Sequence, residues 1–308
     1  MARRRKGAAI HGWLVIDKPA GVTSTDVVNR VRRRLNAQKV GHGGTLDPMA
    51  TGILPLAFGE ATKTVSYVMD GKKTYRFGLT WGAATSTDDS EGEVIATAAG
   101  RPDAAEIEAA LADFVGQIDQ VPPTFSAIKI DGQRAYDLAR EGEAVEMKPR
   151  KVRIDRVALV SQPDRDTAFF DVDCGKGTYI RSLARDLGEA LGTRAHVCAL
   201  RRLQVGPFTE KGAISLDYLE ELAHGAPAQE LLLPIETALD DIPALALSEA
   251  EATRLRSGQA LSMIARSNAE RISNLKSGDF LCAMCGGKPV AIARFEGGEV
   301  RPVRVLNL

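Results

Sequence analysis

No apolar run in this 308-residue chain approaches the ~20 residues needed to cross a bilayer, so hydropathy alone excludes a spanning helix. The basic start Ala2-Arg3-Arg4-Arg5-Lys6 is not followed by the apolar core of a signal peptide, and a cytoplasmic protein without a membrane partner is expected. Cysteine is scarce: 4 residues are too few for a disulfide framework at this length, and free thiols in a reducing compartment are expected. Net charge is absent as well, with 40 Lys and Arg against 40 Asp and Glu. Taken alone, that disfavours a polyanionic partner, because phosphate contacts draw on clustered cations. Internal repeats, heptad runs and low-complexity tracts are also missing.

The distribution of charge says more than its sum. Basic residues cluster at Arg30 to Arg34 with Lys39, at Lys148 to Arg156, and at Arg194 with Arg201 and Arg202, while acids gather at Asp88 to Glu93 and at Glu220-Glu221. A positive face opposite a negative one fits this pattern, and so does a set of separately solvated clusters. The hydrophobic share of 44% and charged share of 26% are those of a folded globular chain. Its length favours one substantial domain with a smaller appendage.

Periodicity predicts a mixed α and β order. Trp13 to Lys18 reads as a strand stopped by Pro19 and Gly21, and Thr23-Ser24-Thr25-Asp26 as the capping box of a helix with Val27, Val28, Val31 and Leu35 on its apolar side. Strands are expected at 74–82 and 92–98, joined by a polar turn, then an amphipathic helix at 104–118. The charged stretch 121–149 lacks sustained periodicity and is expected to be a mobile insert. Strands at 151–162 and 166–174 precede a helix marked by Ile180, Leu183, Leu187 and Leu191 and closed by Gly192. A further strand at 195–209 and a short helix from Ser215 to about Ala223 lead to a boundary at Pro243. The expected domains are therefore 1–243 and 244–308, the second a compact β-barrel-like unit opening on the capping box Ser248 to Glu251.

The most informative stretch runs from Gly41 to Pro55. Glycines flank the carboxylate of Asp47 and permit unusual dihedrals and close approach, while Pro48 holds Asp47 in extended geometry. Such a loop can fix one carboxylate in a cleft. Equally, Asp47 can cap the following turn with Pro48 at its first position, and spacing alone leaves both open. Cys282 and Cys285 have the spacing of half a zinc site, but Cys174 and Cys198 offer no matching pair, so buried or edge thiols and no metal are expected.

The run Gly-His-Gly-Gly-Thr-Leu-Asp-Pro-Met-Ala-Thr-Gly-Ile-Leu closely resembles the catalytic motif of the TruB family of tRNA pseudouridine synthases. Lys18-Pro19, Lys73-Thr74-Tyr75-Arg76, the stretch Gln120 to Lys129, and Gly175 to Leu183 resemble its further motifs in the same order, covering about residues 12 to 240. The tail resembles the family's PUA-type module more loosely. This resemblance implies an α+β fold with a mixed, largely antiparallel central sheet flanked by helices, and isomerisation of uridine 55 in the T-loop of tRNA without cofactor or metal, by a monomer. It further implies that Asp47 is the catalytic carboxylate and that Arg181 pairs with it. A free aspartate, with a pKa of ~3.9, is already ionised at neutral pH, so such a partner serves orientation. Tyr75 and Tyr179 are implied to contact the target base, His42 to stack in the space the flipped base leaves, Leu200 to line the pocket, and Lys18 to support the loop. From alternation alone, both tyrosines and Leu200 also read as core residues. A retaining glycosidase and a non-catalytic RNA-binding or tRNA-folding chaperone are the rival readings; the first ordinarily needs a second carboxyl group.

Overall fold

The computed structural model describes residues 7–126, 128–130, 133–135, 138, 146–222 and 228–308. The basic start before Gly7, Ala127 of the fourth motif, much of the 121–149 insert, and the end of the helix expected to reach Ala223 lie outside the described residues.

The chain opens with β1 (Gly12–Lys18), β2 (Val40–His42), β3 (Thr51–Phe58) and β4 (Lys73–Trp81). The short β5 (Ala83–Thr85) and β6 (Val94–Thr97) follow, then β7 (Gly116–Gln120) and the paired β8 (Lys129–Ile130) and β9 (Gln133–Arg134). After them come β10 (Arg150–Ser161), β11 (Thr167–Cys174), β12 (Ala195–Val205), β13 (Phe208–Thr209) and β14 (Ala213–Ser215). The main sheet runs β14-β1-β3-β12-β4-β11-β10-β7, with β2 beside β3 and β13 beside β12. Its junctions are antiparallel except β1 with β14 and β3 with β12. The expected α+β class, with a mixed and largely antiparallel sheet, is the one observed.

Both faces of β1 are buried, which explains why its apolar residues are continuous. Leu14 and Ile16 point into a core shared with three helices, through Val27 and Val31 of Ser24–Arg34, Ile107 of Ala104–Leu111, and Leu183 and Leu187 of Ile180–Ala190. Trp13 and Val15 point the other way, into a cluster with Ile53, Val68 and Phe208. The first helix begins as its sequence predicts: Thr23 and Asp26 form a reciprocal capping box, and Arg32, Arg33 and Arg34 lie in its last turn, where the helix dipole favours cations.

Three expectations are corrected. The helix expected at 104–118 ends at Leu111; a 3₁₀ turn follows, and Gly116, with φ of +102°, turns the chain into β7 against β10. The strand expected at 195–209 is a hairpin of β12 and β13 about Gly206. The turn expected between the strands at 74–82 and 92–98 begins as β5, which pairs with β6.

Beyond Pro243, β15 (Ala244–Ala246), β16 (Leu261–Ser262), β17 (Phe280–Cys285), β18 (Lys288–Glu296) and β19 (Glu299–Val305) form a second sheet in the order β15-β17-β18-β19-β16. It has its own core of Leu245, Leu255, Leu281, Ala291 and Val300, and a PUA-like form. The expected capping box is present at Ser248 and Glu251, opening the helix Glu249–Arg256. This unit is seated on the first. Leu306 joins the cluster of Trp13 and Phe208, Cys282 and Ile292 pack with Leu239, and Lys63 Nζ donates to Val305 O at 2.7 Å. Among the described residues, no helix is long and apolar enough to cross a membrane.

Candidate active site

Asp47 lies on the loop between β2 and β3, and many of the backbone groups around it are tied down. Gly43 N donates to Pro55 O at 2.8 Å. The buried hydroxyl of Ser24 accepts from Leu46 N at 2.8 Å and donates to Leu46 O at 3.0 Å, so the start of the first helix holds the loop. Pro48 O accepts from Gly21 N at 2.9 Å and from Lys18 Nζ at 3.1 Å. Asp47's carbonyl accepts from Ala50 N at 3.1 Å, closing the turn. Its carboxylate points instead at Arg181.

Arg181 sits in the first turn of the helix Ile180–Ala190, with a side chain only 6% exposed. Its Nε lies 3.0 Å from Asp47 Oδ2 and 3.6 Å from Asp89 Oδ2. The N–H is aligned with neither oxygen, so the contact is a close ion pair and not a linear hydrogen bond. Nη1 donates to Thr87 O and Nη2 to Phe125 O, both at 2.9 Å, which fixes the plane of the guanidinium. Asp47 is 35% exposed and Asp89 is 4% exposed, so one of the two carboxylates that share this cation faces the open side of the site.

Lys18, at the end of β1, is fully buried and donates to the carbonyls of Pro19, Val22 and Pro48, which uses all three of its protons. Burial lowers its pKa to about 8, against the opposing attraction of Asp47 and Glu91. It does not present its ammonium to the cleft. Tyr75 on β4 is half-buried beside the helix-side core, and burial raises its phenol's pKa, offset in part by Arg202. Tyr179 stands at the start of the Arg181 helix without a side-chain capping bond, and its pKa is raised by burial. Burial, and to a lesser degree the nearby Arg202 cation, lower the pKa of His42. Its Nδ1 accepts from Gly44 N at 3.3 Å, which assigns the ring proton to Nε2. Leu200 is a buried core residue paired across from Phe77. Among the described residues, no three His, Cys, Asp or Glu side chains gather as metal ligands, and all 4 cysteines are free.

Some contributors escaped the sequence reading. Asp88 and Asp89 looked like part of a solvated acidic turn; in fact Asp88 accepts from Arg185 at 3.1 Å and Asp89 faces Arg181. The buried amide of Gln120 pairs with both backbone groups of Tyr179, at 2.8 and 3.1 Å, joining β7 to the start of the Arg181 helix. The basic pair Arg201-Arg202 is split by strand alternation. Arg201 forks onto Asp17 at 3.0 and 2.8 Å and also meets Glu210, while Arg202 turns inward, so neither is a free cation awaiting phosphate.

Residues 32–180 match the N-terminal domain of the TruB family of pseudouridylate synthases, and residues 181–240 match the tRNA pseudouridylate synthase B C-terminal domain. The tRNA pseudouridine synthase B of Rhodospirillum rubrum is 58% identical over 308 residues, covering 100% of both chains. That of Caulobacter vibrioides is 53% identical over 309 residues, again covering 100% of both. A chain in the crystal structure of a Cbf5–Nop10–Gar1 complex superposes with a TM-score of 0.72 at 25% identity, over 96% of this chain and 85% of that one. Fold and matches together define an enzyme of the pseudouridine synthase class. Within that class, the chain belongs to the TruB family.

Proposed function

We propose that the protein converts a single T-loop uridine of tRNA, conventionally numbered 55, to pseudouridine, with Asp47 as the catalytic carboxylate. The observation that carries this reading is the setting of Asp47: a partly exposed carboxylate 3.0 Å from a buried guanidinium, on a loop whose neighbouring backbone groups are pinned. The substrate class follows from the full-length relatives, both of which bear the name tRNA pseudouridine synthase B.

The chemistry matches one fixed carboxylate. Breaking the bond between ribose C1′ and uracil N1 leaves the electron pair on the base and positive character at C1′. A carboxylate held against C1′ meets that charge, by covalent attack or electrostatically. The base turns, C5 bonds to C1′, C5 loses its proton and N1 gains one. Atoms and electrons balance without oxidant, reductant or group donor. A uridine reaching this site has to leave its stack, and Tyr75, Tyr179 and His42 offer it rings to lie against. Arg181 orients Asp47; Lys18 and Ser24 act one step further out, on the loop. All of these residues come from one chain, in keeping with activity as a cytoplasmic monomer.

Chemical mapping of tRNA incubated with the purified protein should show one new pseudouridine, in the T-loop, and none when that uridine is replaced by cytidine. Chelator-treated protein should retain full activity on prefolded tRNA. Modification at another position would sink the site assignment, and strict dependence on an added metal would sink the cofactor-free chemistry.

In this reading, 1–243 carries the chemistry and 244–308 adds phosphate contacts to the RNA. Deleting the second unit should weaken tRNA binding about tenfold or more while saturated turnover falls less. The seat of this unit adds a cost to folding: removing Leu306, Cys282 and Ile292 uncovers Trp13, Phe208 and Leu239 and should lower the stability of the remainder by about 2–4 kcal/mol. Calorimetry and filter binding on one truncated sample measure both, and unchanged affinity would refute the division of labour.

A further inference from the structure

Arg202 carries a guanidinium at 1% exposure, and among the described residues no carboxylate forms an ion pair with it. A buried cation without an anion is costly unless its donors are satisfied. Its donors are satisfied by backbone. Nε donates to Ile53 O at 2.8 Å, Nη2 to Gly44 O at 3.0 Å, and Nη1 to Thr45 O at 3.4 Å. Gly44 and Thr45 precede Asp47, while Ile53 lies on β3 after it, so one rigid fork spans both ends of the loop.

The backbone of Arg202 completes the arrangement. Residue Arg202 on β12 pairs in register with Gly52 on β3, and a Cβ at Gly52 would come within 2.2 Å of Arg202 O. Only glycine tolerates that approach together with its φ of +99°. On the other edge of β12, Arg202 pairs with Tyr75 of β4. The same residue thus fixes the Asp47 loop through its side chain and the β3 and β4 strands through its backbone.

We infer that Arg202 is a positioning residue for the isomerisation, a clasp that sets the direction of the Asp47 carboxylate by holding the two ends of its loop. It acts through Gly44, Thr45 and Ile53, and also stands beside the Tyr75 phenol. This rests on the assignment of Asp47 above. A lysine could keep the charge but reach only part of this carbonyl set, because its ammonium is a single point and not a planar fork. Displacing a reacting group by ~1 Å can cost about a hundredfold in rate.

The test uses the full chain with Arg202→Lys and Arg202→Met, the second removing the buried charge while keeping a long apolar stem. Folding is followed by calorimetry, tRNA affinity by filter binding, and single-turnover pseudouridine formation at saturating enzyme, per folded molecule. Both variants should bind tRNA within about twofold of the unsubstituted protein and lose about a hundredfold or more in rate. A purely structural role would lower the melting temperature and leave the rate of the folded molecules unchanged, which would overturn the inference. Failure of both variants to fold would overturn it too, since Arg202 would then be a core residue and nothing more. Activity in the unsubstituted protein together with its retention in Asp47→Asn would instead strike the Asp47 assignment, which separates the two failures.

Discussion

Asp47→Asn should bind tRNA almost as the unsubstituted protein does and form no detectable pseudouridine. The substitution keeps the shape of the side chain, and the loop that carries it is held by backbone contacts of Ser24, Lys18 and Arg202 that do not involve the carboxylate. The fold should therefore stand. Affinity comes from phosphate contacts and base stacking, so the dissociation constant should move by less than about tenfold, or roughly 1.4 kcal/mol. The rate has no such reserve. An amide carries neither the negative charge nor the nucleophilic oxygen that the developing charge at C1′ requires, and the rate should fall by several orders of magnitude. Filter binding and chemical mapping on one folded sample decide the matter. Appreciable pseudouridine, once deamidation back to aspartate is excluded by mass spectrometry, would remove Asp47 from the mechanism.

The sequence reveals those parts of this site whose causes are local. The capping box at Thr23 and Asp26 needs only neighbours, and the glycines around Asp47 announce an unusual loop before any contact is known. The Asp47–Arg181 pair spans 134 positions of sequence; no periodicity points to it, and only family resemblance brought the two residues together. Where neither local signal nor resemblance speaks, residues were misread or missed. The acids Asp88 and Asp89 sit in a polar turn and look solvated, because the arginines that draw them inward come from a distant helix. Arg202 looks like half of a basic cluster, and its three carbonyl partners lie about 150 residues away in the chain. The fold shows the same limit. The helix Ala104–Leu111 stops short of its expected length because the residues after Gly116 find a partner strand in β10, and pairing across that distance overrides the local pattern.

Three separate segments converge on the Asp47–Arg181 pair. The Asp47 loop leaves β2, the Asp89 turn leaves β5, and the segment after Gln120 leaves β7. All three meet at the start of the Arg181 helix: Thr87 O and Phe125 O on Arg181, Val121 O on Ser182 at 2.7 Å and on Arg185 at 2.8 Å. Each of these contacts sets a charged or polar donor against a backbone carbonyl. The segment that begins after Gln120 is thereby joined at its root to Arg181, which pairs with Asp47.

Arg181→Lys should separate orientation from charge. The guanidinium makes four contacts at once, to Asp47, Asp89, Thr87 O and Phe125 O, and the plane of the fork is what sets Nε between the two carboxylates. An ammonium keeps the single positive charge, but it cannot reach both carbonyls from that position. Charge balance is kept, so Asp89, at 4% exposure, retains a cation and the variant should fold with a loss of about 1–2 kcal/mol. Asp47 loses its fixed direction, and single-turnover rates at saturating tRNA should fall about a hundredfold to a thousandfold with little change in affinity. Arg181→Met is the contrasting case. It leaves the buried Asp89 carboxylate without its cation, and the expected loss of stability rises to about 3–5 kcal/mol. Thermal unfolding and single-turnover assays on the two variants give four numbers. A lysine variant that turns over at the unsubstituted rate would show that only the charge of Arg181 matters, and the role of its geometry would have to be withdrawn.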